Sequence, residues 1–309
     1  MTCIKRYLFT LLLAIFCIGS AQAKPPIHFV NMPLHFSKVT TAVIHAMLSK
    51  HFKLDQYRDI KVQTIYNASH QPDHLLILLP SKKFHHFDIA KIKLNPQGQA
   101  ISTEEVTELS REDIAQQPGI TPTAATCPDK RIEFIAFAPN NDPLEISIAN
   151  DVATAAEAHG LKTVRLFKEN ATRNSYLNFM SCPNLKGNFY DGDSRNDLIM
   201  TTNGFILAGD IDVLLKKRFR YRVTNIWLAC QAYNDPMKTS VMDTAQSQKY
   251  AAGINNLEIG PSDNAAACAM KAAIAGQPIT SSFQSCYETW DKPTDEWGIS
   301  GNGSEYFGV

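Results

Sequence analysis

From residue 131 onward, short apolar runs alternate with helical patterns, and this alternation most constrains the fold. It predicts a largely parallel sheet with helices on both faces. Arg131–Ala138 (RIEFIAFA) reads as a buried strand, and Asp142 and Pro143 supply an N-cap and a first-turn proline for a helix ending at His159-Gly160. Lys162–Phe167 predicts a second strand, Thr172–Met180 a helix, and Asp197–Thr201 a third strand after a polar loop. A short helix over Asp210–Lys217, strands over Val223–Ala229 and Tyr250–Ile259, and an Ala-rich helix over Asp263–Ala275 complete the pattern.

The earlier part of the chain has another character. Eight of the nine histidines precede residue 87, whereas the cysteines outside the leader all lie at or beyond Cys127. Residues 24–115 predict a small α+β domain, with a helix over Ser37–Phe52 capped by Ser37. Strands follow at Ile60–Tyr66, His74–Leu79 and Phe87–Leu94, and an Asn95–Gly98 turn leads to a last short strand. The Pro- and Thr-rich stretch 116–130 reads as a linker, leaving 131–309 as the α/β domain. The early histidines lack metal-ligand spacing and read as exposed surface residues, so no metal or cofactor is expected.

Residues 1–23 have the form of a cleavable export signal: Lys5-Arg6, an apolar run over Tyr7–Gly19, and Ala21-Gln22-Ala23. Without them the charge is 28 − 30 = −2, with no basic run to recommend nucleic acid as a partner. No later stretch is apolar enough to span a membrane. The expected destination is therefore extracellular or periplasmic. Of seven cysteines, Cys3 and Cys17 fall in the leader, and the remaining five cannot all pair within one chain. Parity does not choose the odd one. Pairing Cys127 with Cys182 and Cys268 with Cys286 would leave Cys230 unpaired, whereas a bridge from Cys230 to Cys182 or Cys268 would remove it from any chemistry.

In an open parallel sheet, ligands gather beyond the C-terminal strand ends. By this reading Asn140 and Asn141 end the first strand, Asn203-Gly204 the third, and Cys230-Gln231 the fourth. These six residues form the candidate site. Asp191–Asp197 (DGDSRND) has a loose calcium-loop look, but without the bidentate Glu it reads as a solvated acidic turn.

Several of these residues carry a family resemblance. Asn170-Ala171-Thr172-Arg173, Asn196-Asp197 before Leu198-Ile199-Met200, and the strand Asn225–Cys230 resemble caspase-like cysteine peptidases. Ala251-Ala252-Gly253, the Ala-rich helix and Gly276-Gln277-Pro278-Ile279 extend the likeness over most of residues 131–290. The resemblance implies a caspase-like mostly parallel sheet and makes Cys230 the candidate nucleophile. It places the family's histidine position, at the preceding strand end, on Asn203. An amide cannot accept and return the thiol proton. His159 sits at a helix end far from Cys230, and His28, His35, His85 or His86 could be lent by the first domain. The expected function is therefore a catalytically impaired relative that binds a protein or peptide partner. The alternatives are an active cysteine peptidase with an unorthodox base and a small-ligand binder using the Asn140/Asn203/Cys230 rim.

Overall fold

A computed structural model describes residues 29–30, 39–67, 69, 71–106, 125–215, 223–242, 249–290, 297–300 and 306–308. The expected leader, Ser37, His28, His35 and most of the 116–130 stretch lie outside these residues. The first elements are β1 (Phe29–Val30), α1 (Thr41–Leu48), β2 (Ile60–Tyr66), β3 (Pro72–Pro80), β4 (Phe87–Leu94) and β5 (Ala100–Glu105). The strands form one sheet in chain order, with β1 parallel to β2 and the rest antiparallel. α1 is shorter than its pattern predicts and starts after Thr40, whose hydroxyl accepts the Val43 N–H at 3.3 Å.

β3 runs Leu75-Leu76-Ile77-Leu78-Leu79 without a polar break because both faces of this sheet are covered. Leu75, Ile77 and Leu79 join Ile44 and Leu48 of α1 in one buried cluster. Leu76 and Leu78 join Leu198, Met200 and Phe205 from the second half of the chain in another. The N-terminal sheet is thus sandwiched between its own helix and a small second sheet.

The second half contributes β6 (Phe134–Ala138), α2 (Pro143–Ala158), β7 (Thr163–Phe167), α3 (Arg173–Met180), β8 (Gly187–Asp191), β9 (Ser194–Arg195), β10 (Leu198–Thr201), β11 (Gly204–Leu207) and α4 (Ala208–Leu215). It continues with β12 (Thr224–Leu228), α5 (Met237–Met242), β13 (Lys249–Gly253), α6 (Pro261–Ile274), α7 (Ile279–Trp290) and β14 (Trp297–Ser300). Six strands form a sheet in the order β14-β13-β12-β8-β6-β7, parallel except for β14 at one edge. One face buries Phe137, Tyr176, Tyr190, Trp227 and Tyr250. The other packs Phe134, Phe189 and Ile226 against α2, α6 and α7, where the alanines of α6 allow close approach.

The expected third strand is displaced. Residues 198–201 belong to a separate antiparallel sheet, β11-β10-β9, and the third strand of the parallel sheet is β8. Its sequence, Gly-Asn-Phe-Tyr-Asp, hides that role because two of its buried residues are polar. Asn188 is accommodated through bonds to Tyr176 Oη at 2.6 Å and Asn225 Oδ1 at 3.2 Å.

Disulfides join Cys127 to Cys182 and Cys268 to Cys286, the second linking α6 to α7. Cys230 lies outside both and is buried. Among the described residues no helix is long and apolar enough to cross a membrane.

Candidate functional site

Strand order reverses at β6, which has β7 on one side and β8 on the other. Beyond the C-terminal ends of β6, β8 and β12, loops splay apart and leave a crevice. Its walls are Asn140 and the start of α2, Asp191–Ser194 after β8, Cys230 after β12, and Leu257–Ile259 before α6.

The crevice is filled by the chain itself. Pro80 pairs with Phe87 at the last rung of the β3–β4 ladder, and residues 81–86, tied at their base by the Ser81 N–H to the His86 carbonyl at 2.8 Å, form the connecting loop. That loop enters the crevice with its main chain bonded on both sides. The His85 N–H donates to Leu257 O at 3.0 Å and the Ile259 N–H donates to Lys83 O at 2.9 Å, with Phe84 bridged antiparallel to Glu258. The His85 carbonyl accepts two backbone bonds at 3.2 Å, from the Cys230 N–H and the Ser194 N–H. Two amides converging on one carbonyl oxygen beside a cysteine form an oxyanion-hole type arrangement, able to polarise a peptide carbonyl.

The His85 ring is fully buried and enters a pocket walled by acids. Its Nε2 lies 2.8 Å from Asp263 Oδ1 and its Nδ1 lies 3.7 Å from Glu145 Oε1. Asp263 stands in the first turn of α6, where its carboxylate also accepts the Gly260 N–H, and Glu145 stands in the first turn of α2. Arg58, entering from the start of β2, neutralises the outer acids. Its guanidinium reaches Glu145 at 2.6 Å, Asp193 at 2.8 Å and Asp142 at 3.0 Å.

Burial disfavours a charged His85, but the Asp263 carboxylate outweighs it and raises the imidazole pKa. In turn, burial opposes ionisation of Asp263, and the His85 charge and hydrogen bond hold its pKa below the ordinary carboxylate value. Asp191 is different: burial, followed by the Asp263 charge, pushes its pKa well above the ordinary carboxylate value. Burial raises Glu145 to about 7 against the pull of Arg58 and His85. Burial also lowers Lys61 to about 8, with Asp193 opposing.

His85, Asp191 and Asp263 bring one ligand atom each within 4.8 Å of one another, as do His85, Glu145 and Asp193. In the second set Arg58 lies against Glu145 and Asp193, and in the first His85 Nε2 lies against Asp263.

The sequence-predicted residues are divided by this geometry. Cys230 and Gln231 sit at the crevice, and Gln231 turns the chain with φ 58°. The Cys230 sulfur accepts the Leu257 N–H at 3.0 Å, and its carbonyl accepts the Ser194 hydroxyl. Asn140 is buried and donates to Asp193 at 3.0 Å. Asn141 is exposed and, with Asn140, lines a neighbouring cavity of about 320 Å³ reached by Arg58, Lys61, Lys168 and Thr202. Asn203 and Gly204 do not end a strand of the parallel sheet. Asn203 lies in the β10–β11 turn and accepts the Arg173 N–H at 2.9 Å, while neighbouring Thr202 bonds to Pro139 and Lys168. The strand end that faces Cys230 is instead Asp191–Ser194.

Two further expectations are corrected. Asp191 and Asp193 are fully buried rather than parts of a solvated turn: burial itself raises the Asp191 pKa, and Asp193 is held by Arg58 and Asn140. His85 is not a surface histidine, since the acid pocket offsets its desolvation. His159 caps α2, its ring bonded to Ala155 O at 2.9 Å, as its sequence position suggests.

No family model and no curated protein matches the chain.

Proposed function

We propose that this is an exported, caspase-like and catalytically impaired protein that acts by holding an extended peptide in the crevice beside Cys230. The observation that carries the reading is the docking of Lys83–His85. It joins Leu257–Ile259 by backbone bonds while the Cys230 and Ser194 amides grip the His85 carbonyl. Pairing through the main chain is how sheet-edge grooves capture peptides.

Impairment rests on the proton chemistry. A nucleophilic thiol needs a base within hydrogen-bond reach. His85 is the histidine that enters the crevice, and its two ring nitrogens face Asp263 and Glu145. Its Nε2 is engaged by the Asp263 carboxylate at 2.8 Å, which takes that nitrogen away from any thiol proton. Asn203, on which the resemblance placed the base, spends its oxygen on the Arg173 N–H.

Iodoacetamide labelling near pH 6 and incubation of residues 24–309 with a mixed peptide library test this reading. Slow labelling of Cys230, and no hydrolysis by either the parent chain or Cys230→Ala, are expected. Rapid labelling with turnover that Cys230→Ala abolishes would make the chain an active cysteine peptidase.

A further inference from the structure

The chemistry around His85 identifies the class of peptide the crevice takes, an inference that rests on the peptide-holding reading. We propose that the acid-walled pocket of Glu145, Asp191 and Asp263 is a recognition pocket for a basic side chain on an extended peptide, and that loop 81–86 is a built-in occupant blocking it.

Three independent features of the loop converge on this. First, the β3–β4 hairpin does not need six connecting residues. Pro80 already pairs with Phe87, and two residues suffice to close such a ladder. The additional length carries the segment into the crevice. Second, the segment binds by main chain at Lys83, His85 and His86: the first two pair with Leu257–Ile259, and His86 bridges Ser194. Backbone capture imposes little sequence preference, so another chain could make the same bonds. Third, the one fully buried side chain of the loop is a basic one, His85, set 2.8 Å from Asp263 and 3.7 Å from Glu145. Glu145 and Asp263 come from the first turns of α2 and α6, and Asp191 from the end of β8, so the pocket wall is built without the loop. An acidic residue there would meet this wall directly, and a neutral one would leave Asp263 buried without its counter-charge.

Covalent tethering gives the loop an effective concentration of order millimolar against any free competitor. The resting chain is therefore closed, and an external peptide binds when the loop is withdrawn.

The test replaces residues 81–86 with Asn-Gly, a two-residue turn that keeps the β3–β4 register and removes the occupant. The probes are acetylated, amidated hexapeptides with the sequence of 81–86, carrying His, Arg, Ala or Glu at the position of His85. The loop-replaced chain is expected to bind the His and Arg peptides at least tenfold more tightly than the Ala peptide, with the Glu peptide weakest. The parent chain should bind all four at least tenfold more weakly than the loop-replaced chain binds the His peptide. Equal binding of the Ala and His peptides overturns the basic-pocket assignment and leaves the peptide groove standing. Failure of all four to bind a folded variant removes the groove itself. Equal binding of the His peptide to the parent and loop-replaced chains overturns the block. Should the loop-replaced chain not fold, the near-isosteric pair His85→Lys and His85→Met in the full chain decides the charge preference. The Lys variant should melt at the higher temperature, and the reverse order overturns the proposal.

Discussion

Replacing Asp263 with Asn removes one charge from a fully buried ion pair while keeping the shape of the side chain. The amide keeps an oxygen that can accept the Gly260 N–H, so the α6 cap survives. Only the charge facing His85 disappears. At 2.8 Å the pair has a gross attraction of about 6 kcal/mol at an effective dielectric of about 20. Desolvation of both groups consumes part of this, and His85 limits the remaining loss by releasing its proton. A net cost of about 3 kcal/mol follows, at the low end for breaking a buried pair. In a chain of this size that corresponds to a melting point roughly 5 °C lower. Urea unfolding at pH 6, followed by fluorescence of buried Trp227, should show a lower midpoint with an unchanged slope. A double-mutant cycle with His85→Gln should place most of the cost in the pair. An Asp263→Asn midpoint within about 0.5 kcal/mol of the parent would refute the reasoning.

Further perturbations probe the other parts of the site. Stability should fall as pH rises from about 5 to 7.5: the raised Glu145 and Asp191 carboxyls keep protons that the unfolded chain releases, and His85 joins them above the ordinary imidazole pKa. The depressed Asp263 acts oppositely but only at lower pH, so a pH series of urea midpoints that rises across this window contradicts the assignment. Arg58→Met should cost about 3–5 kcal/mol, because Glu145 and Asp193 are fully buried and lose their counter-charge; an equilibrium midpoint near that of the parent would show the acids to be otherwise satisfied. Opening the Cys127–Cys182 bridge by a Cys→Ala pair should cost about 4 kcal/mol and opening Cys268–Cys286 about 3 kcal/mol, from sequence separations of 55 and 18. The inverse order in urea would contradict the loop-entropy argument.

The sequence carried the scaffold further than the site. α2 was legible from Asp142, Pro143 and the His159-Gly160 stop because its caps are local, and β2 and β4 matched their alternating patterns. β8 was concealed because the Asn188 bonds to Tyr176 and Asn225 and the burial of Asp191 arise only in the assembled fold, which no local periodicity records. The same shift misplaced the strand end opposite Cys230, so Asn203 stood where the chain has Asp191–Ser194. His85 was named only as one of four histidines that the first half could lend. Its burial depends on Asp263, 178 residues away, and a charged side chain acquires an acid pocket only when the fold assembles one. Two features in the sequence pointed that way: the basic Lys82-Lys83-Phe84-His85-His86 between two strand patterns and the acidic Asp191-Gly192-Asp193 in the second half.

The occupied crevice is tested most directly by native-state hydrogen exchange at single amides. The Cys230, Ser194, His85 and Ile259 amides are bonded only while loop 81–86 and its partner segment are docked. They should therefore be protected in the parent chain and exchange at a common opening rate, as one cooperative unit. In the chain with residues 81–86 replaced by Asn-Gly, the amides of Cys230, Ser194 and Ile259 should lose that protection while Ile226 and Trp227 in β12 retain theirs. Rapid, unprotected exchange at Cys230 and Ser194 in the parent chain would contradict the docked loop and the peptide-holding function built on it.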